Sequence, residues 1–310
     1  MKSRNLGKTQ LSTPEISVGC MHIGHELGDK TKVNSFINSC LDLGLNFFDL
    51  ADIYEKGESE ALFGSAMSGG IARERVLLQS KCGIVRDDVT TGYSTDRGYV
   101  LKAVEGSLKR LQTDYLDVLL IHRPDPLCDY EELAGTLALL EQQGKVRYFG
   151  VSNFTPYEIK LLQKFWPGTV CANQLQYSPT HSYMVSAPLH TNTTSEFALM
   201  RDDGVLDFCR LEDITIQAWS PFQAKQIRGS YIDSDKFPEL NAALQKVADK
   251  FGVSKTAIVI AWIMKHPAQI QPVTGSTKIA RLAECVKGAG ITISREDWFE
   301  IYCAAGNVLQ

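Results

Sequence analysis

The chain has 310 residues, of which 44% are apolar and 22% charged, and its formal net charge is −4. These values are ordinary for a globular enzyme, and they provide no excess of basic residues for a nucleic acid or an anionic membrane. We therefore expect neither as a partner. A chain of this length is also long enough to fold as one large α/β barrel.

The cysteines and the apolar runs indicate a cytoplasmic protein. The first residues lack the apolar core of a secretory signal, and the longest apolar run, 257–264, is too short to span a bilayer. Eight cysteines are scattered along the chain without a C-x-x-C pair. This pattern predicts neither a zinc site nor a disulfide framework, and we expect no bound metal.

Eight short strand signals follow one another along the chain, at residues 16–20, 45–51, 76–82, 116–122, 146–152, 170–176, 214–220 and 270–276. Segments with a 3.6-residue apolar period separate most of them, for example 33–44, 100–111, 133–144 and 240–252. Strands that alternate with helices form a parallel sheet, and eight such units close a barrel. The sequence therefore predicts an α/β fold, a (β/α)8 TIM barrel in a single domain over residues 1–310.

The rival fold is an open, doubly wound parallel sheet. Such a sheet usually binds a nucleotide at a G-x-G-x-x-G motif after its first strand. The only G-x-G here runs from Gly288 to Gly290, far from the first strand. The regular alternation along the whole chain favours the barrel.

Two connections are longer than the others. Residues 178–204 are polar, rich in Ser and Thr, and have no apolar period; residues 220–240 form the second. Long loops in compact domains are usually lids or binding loops. Because both follow predicted strands at their carboxyl ends, we expect them on one rim, where 178–204 would help to shape a substrate site.

The carboxyl ends of the predicted strands carry mostly polar side chains, among them Asp49, Tyr54, Lys81 and His122. These ends meet at one rim of a barrel. Each residue alone has an ordinary structural explanation, such as a solvated strand end or a loop cap, but together they form a proton-transfer set. A phenol is a weak acid near neutral pH, and an ammonium held beside it by a carboxylate would lower its pKa.

The segments around these residues resemble the aldo-keto reductase superfamily in order and spacing. They are FFDLADIYEKGESEALFG, SKCG, LLIHRPDP, GKVRYFGVSNF, NQLQYSP, QAWSPF and GSTKIARLAE. The resemblance covers nearly the whole chain and is strongest to the bacterial branch with HRPDP after the fourth strand. It implies a TIM barrel with a short N-terminal β-hairpin and long loops on the catalytic rim. It also implies NADP(H) as cofactor and a small-molecule carbonyl substrate.

Four positions match the catalytic tetrad of that family. The resemblance makes Tyr54 the proton donor to the carbonyl oxygen and Lys81 the residue that lowers the pKa of Tyr54. It makes Asp49 the partner of Lys81, and His122 the residue that orients the carbonyl group. Asp52 matches no tetrad position, and we interpret it as a loop or capping carboxylate.

Other positions match the family's site for the nicotinamide half of the cofactor. Three match residues that bond the carboxamide, one matches a residue that stacks on the ring, and three begin a loop similar to the family's pyrophosphate strap. In that order they are Ser152, Asn153 and Gln174, then Trp219, then Ser220, Pro221 and Phe222. Cys20 and Met21, at the end of the first strand, complete this group.

A Gly-Ser-Thr turn that opens a helix near the carboxyl end predicts a phosphate site. Free backbone N–H groups and basic side chains attract phosphate there. The resemblance places Ser276 and Arg281 at the 2′-phosphate and Glu284 toward the adenine. Lys278, Gly275 and Cys285 are further cofactor positions, and the family commonly has lysine in place of Gly275 and asparagine in place of Cys285.

The leading hypothesis is NADPH-dependent reduction of an aldehyde or ketone to an alcohol. One alternative is a nucleotide-sensing regulatory or binding subunit of the same fold. Another is an aldolase-like enzyme in which Lys81 forms a Schiff base. That reaction needs a lowered lysine pKa, whereas pairing with Asp49 would raise it.

Overall fold

The structure, a computed structural model, describes residues 1–86, 91–227 and 229–309. Its strands are β1 (Ser3–Asn5), β2 (Ser12–Pro14), β3 (Ser17–Gly19), β4 (Phe47–Asp49), β5 (Leu77–Cys82), β6 (Ile84–Arg86), β7 (Thr91–Tyr93), β8 (Leu116–Ile121), β9 (Val146–Ser152), β10 (Val170–Gln176), β11 (Thr215–Trp219) and β12 (Gln271–Thr274). Eight of them, β3 to β5 and β8 to β12, close into a parallel barrel in chain order. The prediction of a TIM barrel is confirmed.

Helices cover the outside of the barrel. They are α1 (Ile23–Leu27), α2 (Lys30–Asp42), α3 (Glu58–Met67), α4 (Arg97–Leu111), α5 (Tyr130–Gln142), α6 (Pro156–Phe165), α7 (Tyr183–Ser186), α8 (Val205–Leu211), α9 (Pro238–Phe251), α10 (Lys255–Met264), α11 (Ile279–Ala289) and α12 (Arg295–Ala304). The apolar run at 257–264 lies in α10, whose residues 257–263 are all buried. Among the described residues, no helix combines the length and apolar character that a bilayer crossing needs.

Two features differ from the sequence-based expectation. A second hairpin, β6 with β7, follows the third barrel strand; each strand has three residues, too few for an alternating pattern to be recognised. Residues 178–204 contain α7 and two 3-10 turns, and Met184 and His190 in this segment are buried. The segment is therefore partly helical and packed. Its turns were not predicted because three or four residues are too few to produce a recognisable 3.6-residue period.

The amino end of the barrel is closed by the β1–β2 hairpin, which the family resemblance implied. Leu6, in the loop of this hairpin, is buried against Phe47, Val118 and Leu120 inside the barrel. Apolar side chains that fill a barrel of this kind make it a packed core with no pore. The amino end of the barrel interior is thus filled with apolar side chains.

A column of buried glutamine side chains runs from the β1–β2 hairpin toward the carboxyl ends of the strands. Gln271 donates to the Thr13 hydroxyl (3.2 Å) and the Pro14 carbonyl (2.6 Å), and accepts from Gln217 (3.0 Å). Gln217 exchanges hydrogen bonds with Gln79 at 2.9 and 3.1 Å. Buried amides are stable only when they are paired, so the column fixes the side chains directly below the rim.

Close packing of α3 on α4 depends on Gly64. A Cβ atom at this position would lie 2.3 Å from the Arg110 carbonyl oxygen and 2.5 Å from the carbonyl carbon of Leu111. We expect Gly64→Ala to lower the free energy of unfolding by about 1–3 kcal/mol, the usual cost of overpacking, as measured by urea denaturation.

Gly135→Ala in α5 is the matched control, because a Cβ atom there meets no atom within 4 Å. This substitution should leave stability unchanged or raise it by about 0.5–1 kcal/mol through better helix propensity. Equal effects of the two substitutions would contradict close packing at Gly64.

Candidate functional site

Four polar side chains that are distant in sequence meet at the rim. Asp49 ends β4, Lys81 lies in β5, His122 follows β8, and Tyr54 opens a short 3-10 turn after β4. The Lys81 ammonium is fully buried and donates to Asp49 Oδ2 (2.7 Å), the Tyr54 hydroxyl (2.9 Å) and the Leu50 carbonyl (2.9 Å). All three protons of the ammonium are therefore engaged, which fixes its position.

Asp49 is held from its other side by the glutamine column. Its Oδ1 accepts from Gln79 (2.5 Å) and from Gln174 (3.0 Å). Buried charges are stable only when they are paired and hydrogen-bonded, and these contacts supply both conditions. The carboxylate is thereby oriented toward Lys81.

Lys81 stays charged in this setting. Burial alone would lower its pKa, but Asp49 and the Tyr54 hydroxyl outweigh burial, and the pKa of Lys81 is raised. A charged amine with three hydrogen bonds is no nucleophile. The geometry therefore disfavours the Schiff-base alternative.

Opposing effects act on the pKa of the Tyr54 hydroxyl. Burial raises its pKa more than Lys81 lowers it, and Asp49 raises it further, so the net shift is upward. Lys81 acts in the expected direction and lowers the pKa of Tyr54, but burial outweighs it, because the buried phenolate loses more hydration than one shared ammonium can replace. Tyr54 consequently keeps its proton at neutral pH, as a donor must.

His122 is neutral and stands close to Tyr54. The two ring centroids are 5.9 Å apart in an edge-on arrangement. Burial, with Lys81 and Arg123 nearby, lowers the pKa of His122 to about 2. Its Nδ1 is buried without a hydrogen-bond partner among the described residues. A neutral imidazole carries one N–H, so Tyr54 and His122 are two uncharged donors at the rim.

The residues predicted to surround a nicotinamide ring are hydrogen-bonded to one another. Ser152 Oγ donates to the Gln174 carbonyl (2.9 Å) and accepts from Asn153 Nδ2 (2.8 Å). Trp219 Nε1 donates to Asn153 Oδ1 at 3.3 Å. The amide nitrogen of Gln174 is engaged inside the barrel, with Asp49 and Gln217, so this side chain supports the tetrad from below.

The predicted strap residues that follow β11 are held by hydrogen bonds. The buried hydroxyl of Tyr231 donates to the Pro221 carbonyl (2.7 Å), and the Tyr231 amide donates to the Phe222 carbonyl (3.1 Å). Ser220 adopts a left-handed φ of 51° and donates to the Gln223 side chain at 2.9 Å. These contacts place the loop beside Trp219 on the rim.

The predicted phosphate site lies between β12 and α11. Ser276 Oγ accepts from the Lys278 amide (3.2 Å), which shapes the turn. The exposed side chains of Lys278 and Arg281 have no ion-pair partner in residues 1–86, 91–227 and 229–309. Glu284 accepts from Lys287 at 2.6 Å, and Gly275 is exposed.

Two cysteines assigned to the cofactor site have buried side chains. Cys20 and Cys285 are fully buried in the hydrophobic core. Cys285 shares the inner face of α11 with Leu282, so the helical period turns its side chain away from the rim. Their assignment to the cofactor site stays a prediction, in which buried side chains leave only the backbone to face a ligand, whereas Met21 is about half exposed at the rim.

Sequence reasoning missed the glutamine column. Gln79, Gln217 and Gln271 each interrupt an apolar strand, and all three are fully buried. The recurrence of glutamine inside strand signals was a detectable sign, since a buried amide needs partners. Their shared position inside the barrel became apparent only from the closed sheet.

Asp52, which is half-buried, and the fully buried Glu60 form a second acidic group near Lys81. Asp52 Oδ1 is buried without a partner among the described residues, and the Tyr99 hydroxyl lies 3.4 Å from Oδ2. Glu60, nearby, is fully buried and accepts from Arg110 (2.8 Å) and Ser80 (2.5 Å). Burial, with the charge of Glu60, raises the pKa of Asp52 to about 7. Asp52 is therefore a half-buried acid with one buried oxygen, and the interpretation as a loop or capping carboxylate is incomplete.

Comparison with known proteins identifies relatives of the whole chain. The aldo/keto reductase family model matches residues 15–303. Oxidoreductase YdhF of Escherichia coli (strain K12) is 39% identical over 277 residues, 87% of this chain and 86% of that protein. The 6-dehydroglucose reductase of Agrobacterium fabrum (strain C58) is 33% identical over 304 residues, 96% of this chain and 95% of that protein.

A solved structure has the same architecture. The thermostable aldo-keto reductase Tm1743, in complex with the inhibitor epalrestat, superposes with a TM-score of 0.78 at 25% identity, over 98% of this chain and 100% of that chain. No group of His, Cys, Asp and Glu among the residues described for this chain has an arrangement that could hold a metal ion.

The raised pKa of Asp52 predicts a pH-dependent stability. Between about pH 4 and pH 7 the unfolded carboxyl is ionised while the folded one keeps its proton, so its contribution to stability decreases as pH rises. Asp52→Asn mimics the protonated form. We expect it to be more stable than the wild type at pH 8 by about 1–2 kcal/mol, a screened part of 1.36 kcal/mol per pKa unit, with the difference vanishing near pH 4.

Urea denaturation of both proteins at pH 4.5, 6 and 8 measures this difference. Asp235→Asn, at an exposed aspartate, is the control and should show no pH-dependent gain. A difference for Asp52→Asn that is constant over the three pH values would contradict a protonated Asp52.

Proposed function

The chain belongs to the aldo/keto reductase family and is an oxidoreductase, and from this premise we propose that it reduces an aldehyde or ketone with hydride from NADPH and a proton from Tyr54. The observation that carries the proposal is the buried Lys81 ammonium, bonded to both Asp49 and the Tyr54 hydroxyl. A complete tetrad of this kind favours an enzyme over a nucleotide-sensing subunit of the same fold.

Tyr54 and His122 perform the proton chemistry in this proposal. Both are neutral donors, so both can bind a carbonyl oxygen before the reaction. As negative charge develops on that oxygen, their preorganised hydrogen bonds become stronger, which lowers the barrier. Tyr54 then transfers its proton to the oxygen.

Lys81 and Asp49 act on the phenolate that remains. Lys81 donates to the Tyr54 oxygen at 2.9 Å and stabilises its negative charge as the proton leaves. Asp49 and the Leu50 carbonyl prevent the ammonium from turning away. Burial keeps Tyr54 protonated before the reaction. The Lys81 ammonium stabilises the negative charge that forms on the Tyr54 oxygen in the transition state, and only stabilisation of the transition state accelerates a reaction.

The rim has the features that a nicotinamide cofactor requires. Asn153 and Trp219 are half-buried and present an amide and an indole side by side, suited to a carboxamide and a flat ring. Lys278 and Arg281 supply cations without acidic partners among the described residues, beside a helix start. When bound, the reduced nicotinamide supplies the hydride that the carbonyl carbon receives.

Removal of the Tyr54 hydroxyl tests the proposed acid. Tyr54→Phe should lower kcat by on the order of 100-fold or more, the scale of losing a general acid, and leave the Kd of NADPH nearly unchanged. NADPH oxidation with a panel of aldehydes and ketones gives kcat, and calorimetry gives Kd. Tyr157→Phe, at an exposed tyrosine of α6, is the control. Near-normal turnover of the Tyr54 variant would remove this residue from the mechanism.

Removal of the Arg281 guanidinium tests the choice of cofactor. A charge-assisted hydrogen bond to the 2′-phosphate contributes about 1.5–3 kcal/mol, or about 10- to 150-fold in affinity. Arg281→Ala should weaken NADPH by that factor and NADH hardly at all, as measured by calorimetric titration of each. Arg295→Ala, at an exposed arginine of α12, is the control. Equal weakening of both cofactors would assign Arg281 to helix stability or the adenine.

A further inference from the structure

A cleft of about 430 Å³ opens at the rim beside Arg123, the residue that follows His122 of the tetrad. It begins at Asn153 and Trp219, where the nicotinamide is proposed to bind, and leads toward the 178–204 segment. Leu175, Met184 and Phe154 contribute apolar walls. The cleft therefore suits a small organic body that extends from the reacting carbonyl group.

Arg123 lies in this cleft with its charge unpaired. It is the next residue after His122, it is half-buried, and its guanidinium carbon lies 6.0 Å from the Trp219 ring centroid. Its side chain has no hydrogen bond or ion pair with the described residues. By contrast, the half-buried Arg73 and Arg110 bind buried carboxylates at 2.7 and 2.8 Å. A partly desolvated cation without a partner is unfavourable, and an anion in the cleft would relieve it.

A second cation lines the same cleft from the 178–204 segment. The Arg201 guanidinium carbon is 5.4 Å from the Tyr183 ring centroid, and this arginine has no ion pair within the described chain. Asp202, also in the cleft, accepts from the Gly204 amide at 3.2 Å, and burial raises the pKa of Asp202. Within the described residues Asp202 forms no ion pair with Arg123 or Arg201, so the two guanidinium groups remain open to a ligand.

The proposed cofactor does not account for these cations. Lys278 and Arg281, the cations assigned to its phosphate, follow β12, whereas Arg123 follows β8. In the closed barrel β12 adjoins β11 and β3, and β8 adjoins β5 and β9, so the two cationic positions lie on different parts of the rim. The cleft and the cofactor site meet only at Asn153 and Trp219.

We infer that this cleft is the substrate site and that it selects carbonyl compounds with an anionic group, a carboxylate or phosphate, on an apolar body. Arg123 binds the anionic group while Tyr54 and His122 bind the carbonyl oxygen, and Arg201 adds positive charge at the outer end. The inference rests on the proposed reductase function and specifies its substrate class. Arg123 is a specificity-determining residue in this scheme and takes no part in proton transfer.

A charge-matched substrate pair tests the inference through turnover. 4-Carboxybenzaldehyde and methyl 4-formylbenzoate have similar size, and the ester is the more electrophilic, so a preference for the acid must come from the protein. We expect kcat/KM to favour the acid by about 10-fold or more, and this ratio to decrease with added salt. 4-Formylphenyl phosphate in a parallel arm distinguishes phosphate from carboxylate preference.

Arg123→Gln should reduce the acid-to-ester ratio to near one, and Arg123→Lys should retain part of it. Arg75→Gln removes an exposed charge at the amino end of β5 and is the control that should keep the ratio. Circular dichroism and the Tm establish that each variant is folded. Arg201→Gln is an independent variant, expected to lower the ratio by a smaller factor.

Binding without turnover separates this inference from the proposed function. Calorimetry compares 4-(hydroxymethyl)benzoate with its methyl ester on the wild type and on Arg123→Gln. Anion-selective binding that needs Arg123, without reduction of any aldehyde, would support the cleft and reject the reductase function. Reduction of both aldehydes at equal kcat/KM, or a preference unchanged in Arg123→Gln, would overturn the inference and leave the reductase function intact.

Discussion

The ion pair between Lys81 and Asp49 is the constraint on which the rest of the site depends. A buried pair is expensive in desolvation and is tolerated only when its remaining donors and acceptors are satisfied. Here the Lys81 ammonium also donates hydrogen bonds to the Tyr54 hydroxyl and the Leu50 carbonyl, and the Asp49 carboxylate accepts from the Gln79 and Gln174 amides. Hydrogen bonds continue from Gln79 through Gln217 and Gln271 to the N-terminal hairpin. The hairpin at the amino end of the barrel therefore helps to position the side chains at the opposite rim.

The same low-dielectric surroundings determine the protonation of the site. Burial is the largest influence on Tyr54, His122 and Asp52, and in each case it favours the neutral form. Lys81 is the exception, because two partners outweigh its burial. One fixed cation among neutral donors is an arrangement that responds to charge created during a reaction and holds little charge beforehand.

Two loops on the rim, the 178–204 segment and the loop after β11, are joined by a hydrogen bond. Thr180, in the 178–204 segment, donates to the Gln223 carbonyl of the loop after β11 at 3.1 Å. The 178–204 segment is also anchored to the end of the chain, through Ser182 to Asn307 (2.8 Å) and Tyr302 to Ser186 (2.8 Å). The cleft wall is therefore built on packed residues, which gives a substrate site on long loops a defined shape.

The order of residue types along the chain was enough to predict the barrel and to place Asp49, Tyr54, Lys81 and His122 at or just after strand ends, because apolar strands alternate with periodic helices. The tetrad roles of these four residues came from the family resemblance. The predicted bounds of β9 and β10 even match the observed ones. Tertiary structure alone decided that Cys285 faces the core, that Arg123 lacks a partner among the described residues, and that the pKa of Tyr54 rises. These properties depend on burial and on neighbours distant in the chain, and a linear pattern of residue types contains neither.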